Sequence, residues 1–92
     1  MARTTYRPEN VILAGLLRTL REDAGLTQAE VGKRLGRAQS FVSDYEAGQR
    51  RLDLVELFDL GKALDVPLGE IVERFSLLVA HTPKRRRGAT RS

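Results

Sequence analysis

The chain of 92 residues is short and basic, with 16 Lys and Arg, 12 Asp and Glu, no cysteine and a net charge of +4. This length allows one small domain with a modest core. The lack of cysteine excludes disulfides and thiolate metal sites and fits a reducing cytosol. Because no run of about 18 apolar residues and no signal-peptide pattern is present, we expect a cytoplasmic protein without a membrane span.

The positive charge is unevenly distributed along the chain. Five basic residues lie within the last nine positions, which leaves 11 basic and 12 acidic residues in the rest. Within that rest, residues 33–51 are mainly basic and residues 53–74 mainly acidic. A protein that approaches a polyanion with one face is expected to carry such a basic region. For the acidic region, a solvated surface is the simpler interpretation.

The polar residues 1–8 are predicted to form a flexible N-terminal arm, ahead of a domain that spans residues 9–80. Apolar residues at helical spacing predict a first helix from Pro8 or Glu9 to Ala24. The residues expected on its inward face are Leu13, Leu16, Leu17, Leu20 and Ala24. Gly25 is predicted to end this helix, and Leu26 to cover the core.

Residues 27–47 are predicted to form two short helices joined by a tight turn. Thr27 and Glu30 form a capping box at the start of the first of these helices. Gly36 can adopt a positive φ and so ends that helix, whereas Gly32 in its middle is explained by close packing against the second helix. The residues predicted to face inward on the two helices are Ala29, Val31, Leu35, Val42 and Tyr45. Two helices that cross over a short turn form a helix-turn-helix unit, whose second helix enters the major groove of DNA.

Two further helices are predicted after the loop at residues 49–52. Asp53 and Glu56 form a second capping box, and Pro67 suits the first position of a fifth helix. The residues expected to line the inward face of the fourth helix are Leu54, Leu57, Phe58, Gly61 and Leu64; those of the fifth are Leu68, Ile71, Val72 and Phe75. Residues 81–92 are polar and basic and are predicted to form a disordered tail.

The sequence LTQAE at Leu26–Glu30, Leu35-Gly36, and QSFVSDYEAG at Gln39–Gly48 together resemble the Cro/phage-repressor (XRE-type) helix-turn-helix family. The resemblance extends over roughly residues 12–75. It implies an all-α fold, a compact five-helix bundle of the lambda-repressor-like DNA-binding type. It also implies sequence-specific binding of double-stranded DNA by a transcriptional regulator, expected to be a repressor that binds a palindromic operator as a homodimer. In similar repressors, residues matching Arg21 and Glu46 form a partly buried ion pair that orients the recognition helix.

Four polar residues near the start of the second motif helix are candidates for contacts with DNA bases: Gln39, Ser40, Ser43 and Asp44. Gln39 can form two hydrogen bonds with adenine, through N6 and N7. Asp44 can accept a hydrogen bond from cytosine N4 or pair with a nearby arginine that contacts a base. The alternative for all four is a solvated polar surface.

Other residues are candidates for contacts with phosphate. Gln28 lies at the N-terminus of a helix, where free N–H groups and the helix dipole favour an anion, and the matching Gln of similar repressors contacts the DNA backbone. Arg37, Arg50 and Arg51 flank the recognition helix and are expected to bind phosphates, although Arg37 could instead reach a base and each could simply be solvated. Phe41, predicted to lie outside the core, could touch a thymine methyl group or pack on neighbouring side chains.

No catalytic constellation and no cofactor-binding pattern is present, so an enzyme is not expected, and His81 is interpreted as a solvated residue of the tail. The alternative to a repressor is an antitoxin, or another protein-interaction module, whose partner is a toxin or other regulatory protein. The apolar segment Leu77–Val79 predicts either a dimer interface on helix 5 or packing against helix 1. The basic tail is expected either to add salt-dependent affinity for DNA or to act only in solubility.

Overall fold

The computed structural model of the protein describes residues 7–81. Within this range the chain forms five α-helices and no strand: α1 (Pro8–Asp23), α2 (Gln28–Leu35), α3 (Gln39–Glu46), α4 (Leu54–Leu64) and α5 (Leu68–His81). The predicted all-α bundle of five helices is therefore confirmed. The predicted tail lies outside the described residues, apart from His81, and so does the predicted arm, apart from Arg7 and Pro8.

Both predicted capping boxes are present at helix N-termini. The amide of Thr27 donates to Glu30 Oε1 at 2.8 Å, and the amide of Glu30 donates to the Thr27 hydroxyl at 3.0 Å. The equivalent distances between Asp53 and Glu56 are 2.9 and 2.7 Å. Each box satisfies N–H groups that have no partner within the helix, which explains why α2 and α4 begin at these positions.

The turn between α2 and α3 depends on two glycines. Gly36 adopts a φ of 71°, a conformation in which a residue with a side chain would be strained. At Gly32, an added Cβ would lie 2.9 Å from the carbonyl oxygen of Arg37 and 3.1 Å from that of Ala38. Gly32 is therefore required by the backbone of the turn itself, where the sequence had predicted a close approach to the second helix.

The core contains residues from all five helices: Leu16, Leu17, Leu20, Val31, Val42, Tyr45, Leu60, Leu64 and Ile71. Helix α1 packs against α3 and α5, and α2 packs against α3 and α4. Burial of these side chains stabilises the bundle by removing apolar area from water. The outward face of α3 is thereby held in a defined orientation on the surface.

Several residues predicted to face inward do not. Leu54, Phe58 and Val72 are 63, 49 and 45% exposed, and Ala24 and Ala29 are also exposed. On α4, the buried positions include two that the sequence analysis did not select, Leu60 and Ala63. Apolar residues occur around most of α4, so periodicity alone does not choose between its faces, and contact with α2 and α5 decides which face is buried.

Helix α5 differs from the prediction at both ends. It begins at Leu68, and the carbonyl of Pro67 accepts hydrogen bonds from the amides of Glu70 and Ile71. It ends with His81, which therefore belongs to the helix and not to the tail. The Nδ1 of His81 lies 2.7 Å from the carbonyl oxygen of Leu77. Among residues 7–81, no helix combines the length and hydropathy that a membrane span requires.

Candidate nucleic-acid interface

The four candidate base-contacting residues lie together on the outward face of α3. Val42 and Tyr45 are 0 and 2% exposed and attach the opposite face to the core. As a result Gln39, Ser40 and Asp44 are exposed, and Ser43 is half-buried at the edge of this face. A short helix with one buried face and one polar, exposed face can present side chains to a DNA groove.

A buried ion pair holds the C-terminal end of α3. Arg21 of α1 donates from Nε to Glu46 Oε2 at 2.7 Å and from Nη2 to Glu46 Oε1 at 3.0 Å. Its third nitrogen, Nη1, donates to the carbonyl oxygen of Leu26 at 2.8 Å. The side chains of Arg21 and Glu46 are only 11 and 4% exposed. The hydrogen bond with Glu46 raises the pKa of Arg21, so the guanidinium stays charged.

Gln28 connects this ion pair to the candidate base-contacting residue Gln39. Its Nε2 donates to Glu46 Oε1 at 3.0 Å, and its Oε1 accepts from Gln39 Nε2 at 2.7 Å. Gln39 thereby keeps its carbonyl oxygen and one amide hydrogen, the pair of groups that adenine binds. We refer to Arg21, Glu46 and Gln28 together as the buried tie. The sequence predicts only a phosphate contact for Gln28, because no local pattern indicates its contact with Gln39.

A second group of side chains surrounds Phe41. The guanidinium carbons of Arg37 and Arg50 lie 4.3 and 4.8 Å from the centroid of the Phe41 ring. Both arginines also donate to Glu56 Oε2 of α4, Arg37 at 3.4 Å. We refer to Phe41, Arg37, Arg50 and Glu56 together as the arginine cluster. Glu56 had been selected from the sequence only as a capping residue, and no local pattern links it to the two arginines.

Phe41 is half-buried and packs on its neighbours, with its ring edge-on to Tyr45 at a centroid distance of 5.5 Å. The structure therefore places the ring partly against the core, where the sequence had predicted it largely outside. Of the two interpretations left open for Phe41, packing on neighbouring side chains describes this arrangement. Its contacts with two guanidiniums are of the cation–π kind.

Two other arginines of the basic region differ in their surroundings. Arg51 is exposed and forms no ion pair with any residue between 7 and 81, so its charge is available to solvent or to an anion. Arg34 instead donates to the carbonyl oxygen of Ala63 at 2.8 Å, close to the C-terminus of α4. A cation is favourable at this end of a helix, and Arg34 therefore has a structural role in joining α2 to α4.

Tyr45 lies between the buried tie and the arginine cluster. Its hydroxyl is buried and has no hydrogen-bond partner among the described residues. Burial raises the pKa of Tyr45, because the phenolate would be poorly solvated there. Among residues 7–81, no group of three or more His, Asp or Glu side chains is arranged to hold a metal ion.

The chain is similar to a family model, to a curated protein and to solved structures. A family model described as a helix-turn-helix domain matches residues 12–74. A curated relative from Sinorhizobium fredii, the HTH-type transcriptional regulator y4dJ, is 42% identical over 53 residues, which cover 58% of this chain and 69% of the relative.

Two solved structures are also similar. The restriction-modification controller protein C.AhdI of Aeromonas hydrophila is 35% identical, with a TM-score of 0.65 over 68% of this chain and 91% of that one. An XRE-family like protein of Pseudomonas syringae is 34% identical, with a TM-score of 0.73 over 83 and 93% of the two chains. Together with the polar face of α3, these similarities show that the chain belongs to the XRE-type helix-turn-helix family and is a DNA-binding transcriptional regulator.

Proposed function

We propose that this regulator is a repressor that binds a palindromic operator as a homodimer and contacts bases through the outward face of α3. The base-contacting residues would be Gln39, Ser40, Ser43 and Asp44. The observation that carries this proposal is the hydrogen bond from Gln39 to Gln28, which orients one amide on an exposed helix face. A side chain that is oriented before binding loses less conformational entropy when it meets a base.

Phosphates would be bound at the edges of this face. Gln28 lies in the first turn of α2, where unpaired amides favour an anion. In the chain, Arg37 precedes α3, and Arg50 and Arg51 follow it. All three arginines are exposed. Contacts of this kind supply affinity and set the register of α3 on the duplex, whereas the base contacts supply sequence preference.

The homodimer would form through α1 and α5. These helices border an open apolar groove of about 680 Å³, lined by Ile12, Gly15, Leu16, Thr19, Arg74, Leu77 and Leu78. Leu77 and Leu78 are 53 and 43% exposed, and Val11, which precedes Ile12 on α1, is 55% exposed. Part of α5 packs on α1, and Leu77 and Leu78 remain partly exposed and available for the proposed interface. A twofold pairing would bring two α3 helices to successive major grooves, about 34 Å apart.

Selection of bound fragments from random DNA tests the base contacts. We expect a palindromic consensus, and we expect Gln39→Ala to weaken binding to it by about 1–3 kcal/mol and to relax one base position. Gln49→Ala, which changes the same residue type outside α3, is the matched control and should leave the preference intact. Equal losses on consensus and random DNA after Gln39→Ala would show that Gln39 does not contact a base.

Sedimentation at micromolar concentration tests the dimer. Leu77→Glu would place a charge in the proposed interface and should give a folded monomer with weaker binding to the consensus. Val55→Glu, at a 68% exposed position on α4, is the control for adding a charge to an exposed apolar site. A monomeric wild type, or a dimer that survives Leu77→Glu, would contradict an interface on α5.

A further inference from the structure

Glu56 has two separate roles, one for each carboxylate oxygen. Oε1 accepts the amide of Asp53 at 2.9 Å and so completes the capping box of α4. Oε2 accepts hydrogen bonds from both Arg37 and Arg50. The capping box requires only one acceptor at this position, and glutamine serves there as well as glutamate. The oxygen that the capping box does not use is therefore the one that binds the two arginines.

The two arginines that Glu56 binds flank the recognition helix in the sequence and lie together beside Phe41 in the structure. Arg37 precedes α3 and Arg50 follows it, and both guanidiniums also contact the Phe41 ring within α3. Their side chains remain 46 and 40% exposed, whereas that of Glu56 is 18% exposed. Glu56 and Phe41 thus hold each arginine side chain, while part of its guanidinium remains exposed to solvent.

We propose that Glu56 is a specificity-determining residue. It holds Arg37 and Arg50 against Phe41 and so weakens the contacts that these arginines make with the phosphates of DNA that lacks the operator. The inference rests on the proposed function, in which these arginines face the DNA backbone. It adds a residue on α4, outside the helix-turn-helix motif, that sets the difference between operator and random DNA.

Operator and random DNA form different kinds of complex with the protein. Non-specific binding comes almost entirely from cations that reach phosphates in many orientations. On random DNA nothing aligns α3, so Arg37 and Arg50 must leave Glu56 to reach a phosphate, and the lost ion pairs oppose binding. At an operator the base contacts align α3, and the arginines meet the backbone from the positions that they already occupy. Glu56 therefore weakens random binding more than operator binding.

The test is to measure the affinity of Glu56→Gln for the selected consensus and for a random duplex over a range of salt concentrations. Glutamine keeps the cap and removes the charge. We expect affinity for random DNA to rise about tenfold at physiological salt, with a salt slope steeper by about one to two units as two arginines become available. Affinity for the consensus should change by less than about threefold, so the ratio of the two affinities should fall.

Two controls separate this effect from a change in net charge. Asp59→Asn removes one negative charge from the exposed surface of α4, outside the proposed dimer interface, and should leave the ratio unchanged. In an Arg37→Ala/Arg50→Ala background, Glu56→Gln should alter random binding no more than Asp59→Asn does. A thermal melt of each variant establishes that the protein is folded.

The outcomes distinguish the inference from the proposed function. If the wild type does not prefer its selected DNA over random DNA, the proposed function is wrong, and the inference is wrong with it. If the wild type discriminates but Glu56→Gln keeps the same ratio, only the inference is overturned. A loss of affinity for both duplexes would show instead that Glu56 supports DNA binding by positioning the arginines without selecting between sequences.

Discussion

The buried tie and the arginine cluster both hold the recognition helix, but they differ in their exposure to water. In the buried tie, the side chains of Arg21 and Glu46 are only 11 and 4% exposed, and every contact is a short, directional hydrogen bond. In the arginine cluster, Arg37 and Arg50 are nearly half exposed and share one carboxylate oxygen with each other. Both groups use arginine and glutamate, so the difference lies in their environment.

This difference determines what each group contributes. Removing one partner of a largely buried ion pair leaves an uncompensated charge with little access to water, whereas exposed pairs contribute at most about 1 kcal/mol to stability. The buried tie therefore sets where α3 lies and how Gln39 is oriented. The arginine cluster contributes little to the fold and controls instead how much positive charge the protein offers to DNA.

The largest effect is expected from breaking the buried tie. Arg21→Ala should lower the free energy of unfolding by about 3–5 kcal/mol, because Glu46 would remain buried without its partner. Arg18→Ala is the matched control on the same helix, since its ion pair with Glu22 is exposed, and it should change stability by less than about 0.5 kcal/mol. Urea denaturation measures both, and similar changes in the two variants would show that burial does not distinguish these pairs.

Tyr45, between the two groups, should make the protein sensitive to alkaline pH. Its pKa in the folded protein is raised above the value of about 10 in the unfolded chain, so folding favours the protonated phenol. Its contribution to stability is complete below pH 10 and should fall by up to about 1.4 kcal/mol per pH unit above it. Tyr45→Phe should lose this part of the dependence. Identical unfolding curves for both proteins between pH 9 and 11 would contradict it.

The smallest change in stability is expected from removing the charge of Glu56 in the arginine cluster. Glu56→Gln should change the free energy of unfolding by less than about 1 kcal/mol, because the cap is retained and the ion pairs are exposed. The same variant is expected to have its main effect on DNA affinity. If its destabilisation matched that of Arg21→Ala, the arginine cluster would be a structural element comparable to the buried tie.

The sequence predicted local features well. Capping residues such as Thr27 and Asp53 and the turn glycine Gly36 identified the helix ends to within a residue or two, because these features depend on neighbours a few positions away. It was less successful with the buried face of α4. Phe58 was predicted to face inward, but it is half exposed and lies beside Lys62, whose ammonium is 5.3 Å from the ring centroid.

The amino-acid sequence by itself determined the five helices, the helix-turn-helix motif and the family, since short-range patterns carry all three. The pairing of Arg21 with Glu46 was implied by the resemblance to that family, and its hydrogen bonds are visible only in the structure. Tertiary structure alone decided that Gln28 orients Gln39 and that Glu56 binds two arginines. Gln28 and Gln39 are 11 positions apart, and Arg37 and Arg50 are 19 and 6 positions from Glu56. These contacts arise only after the helices have packed and brought the side chains to within hydrogen-bonding distance.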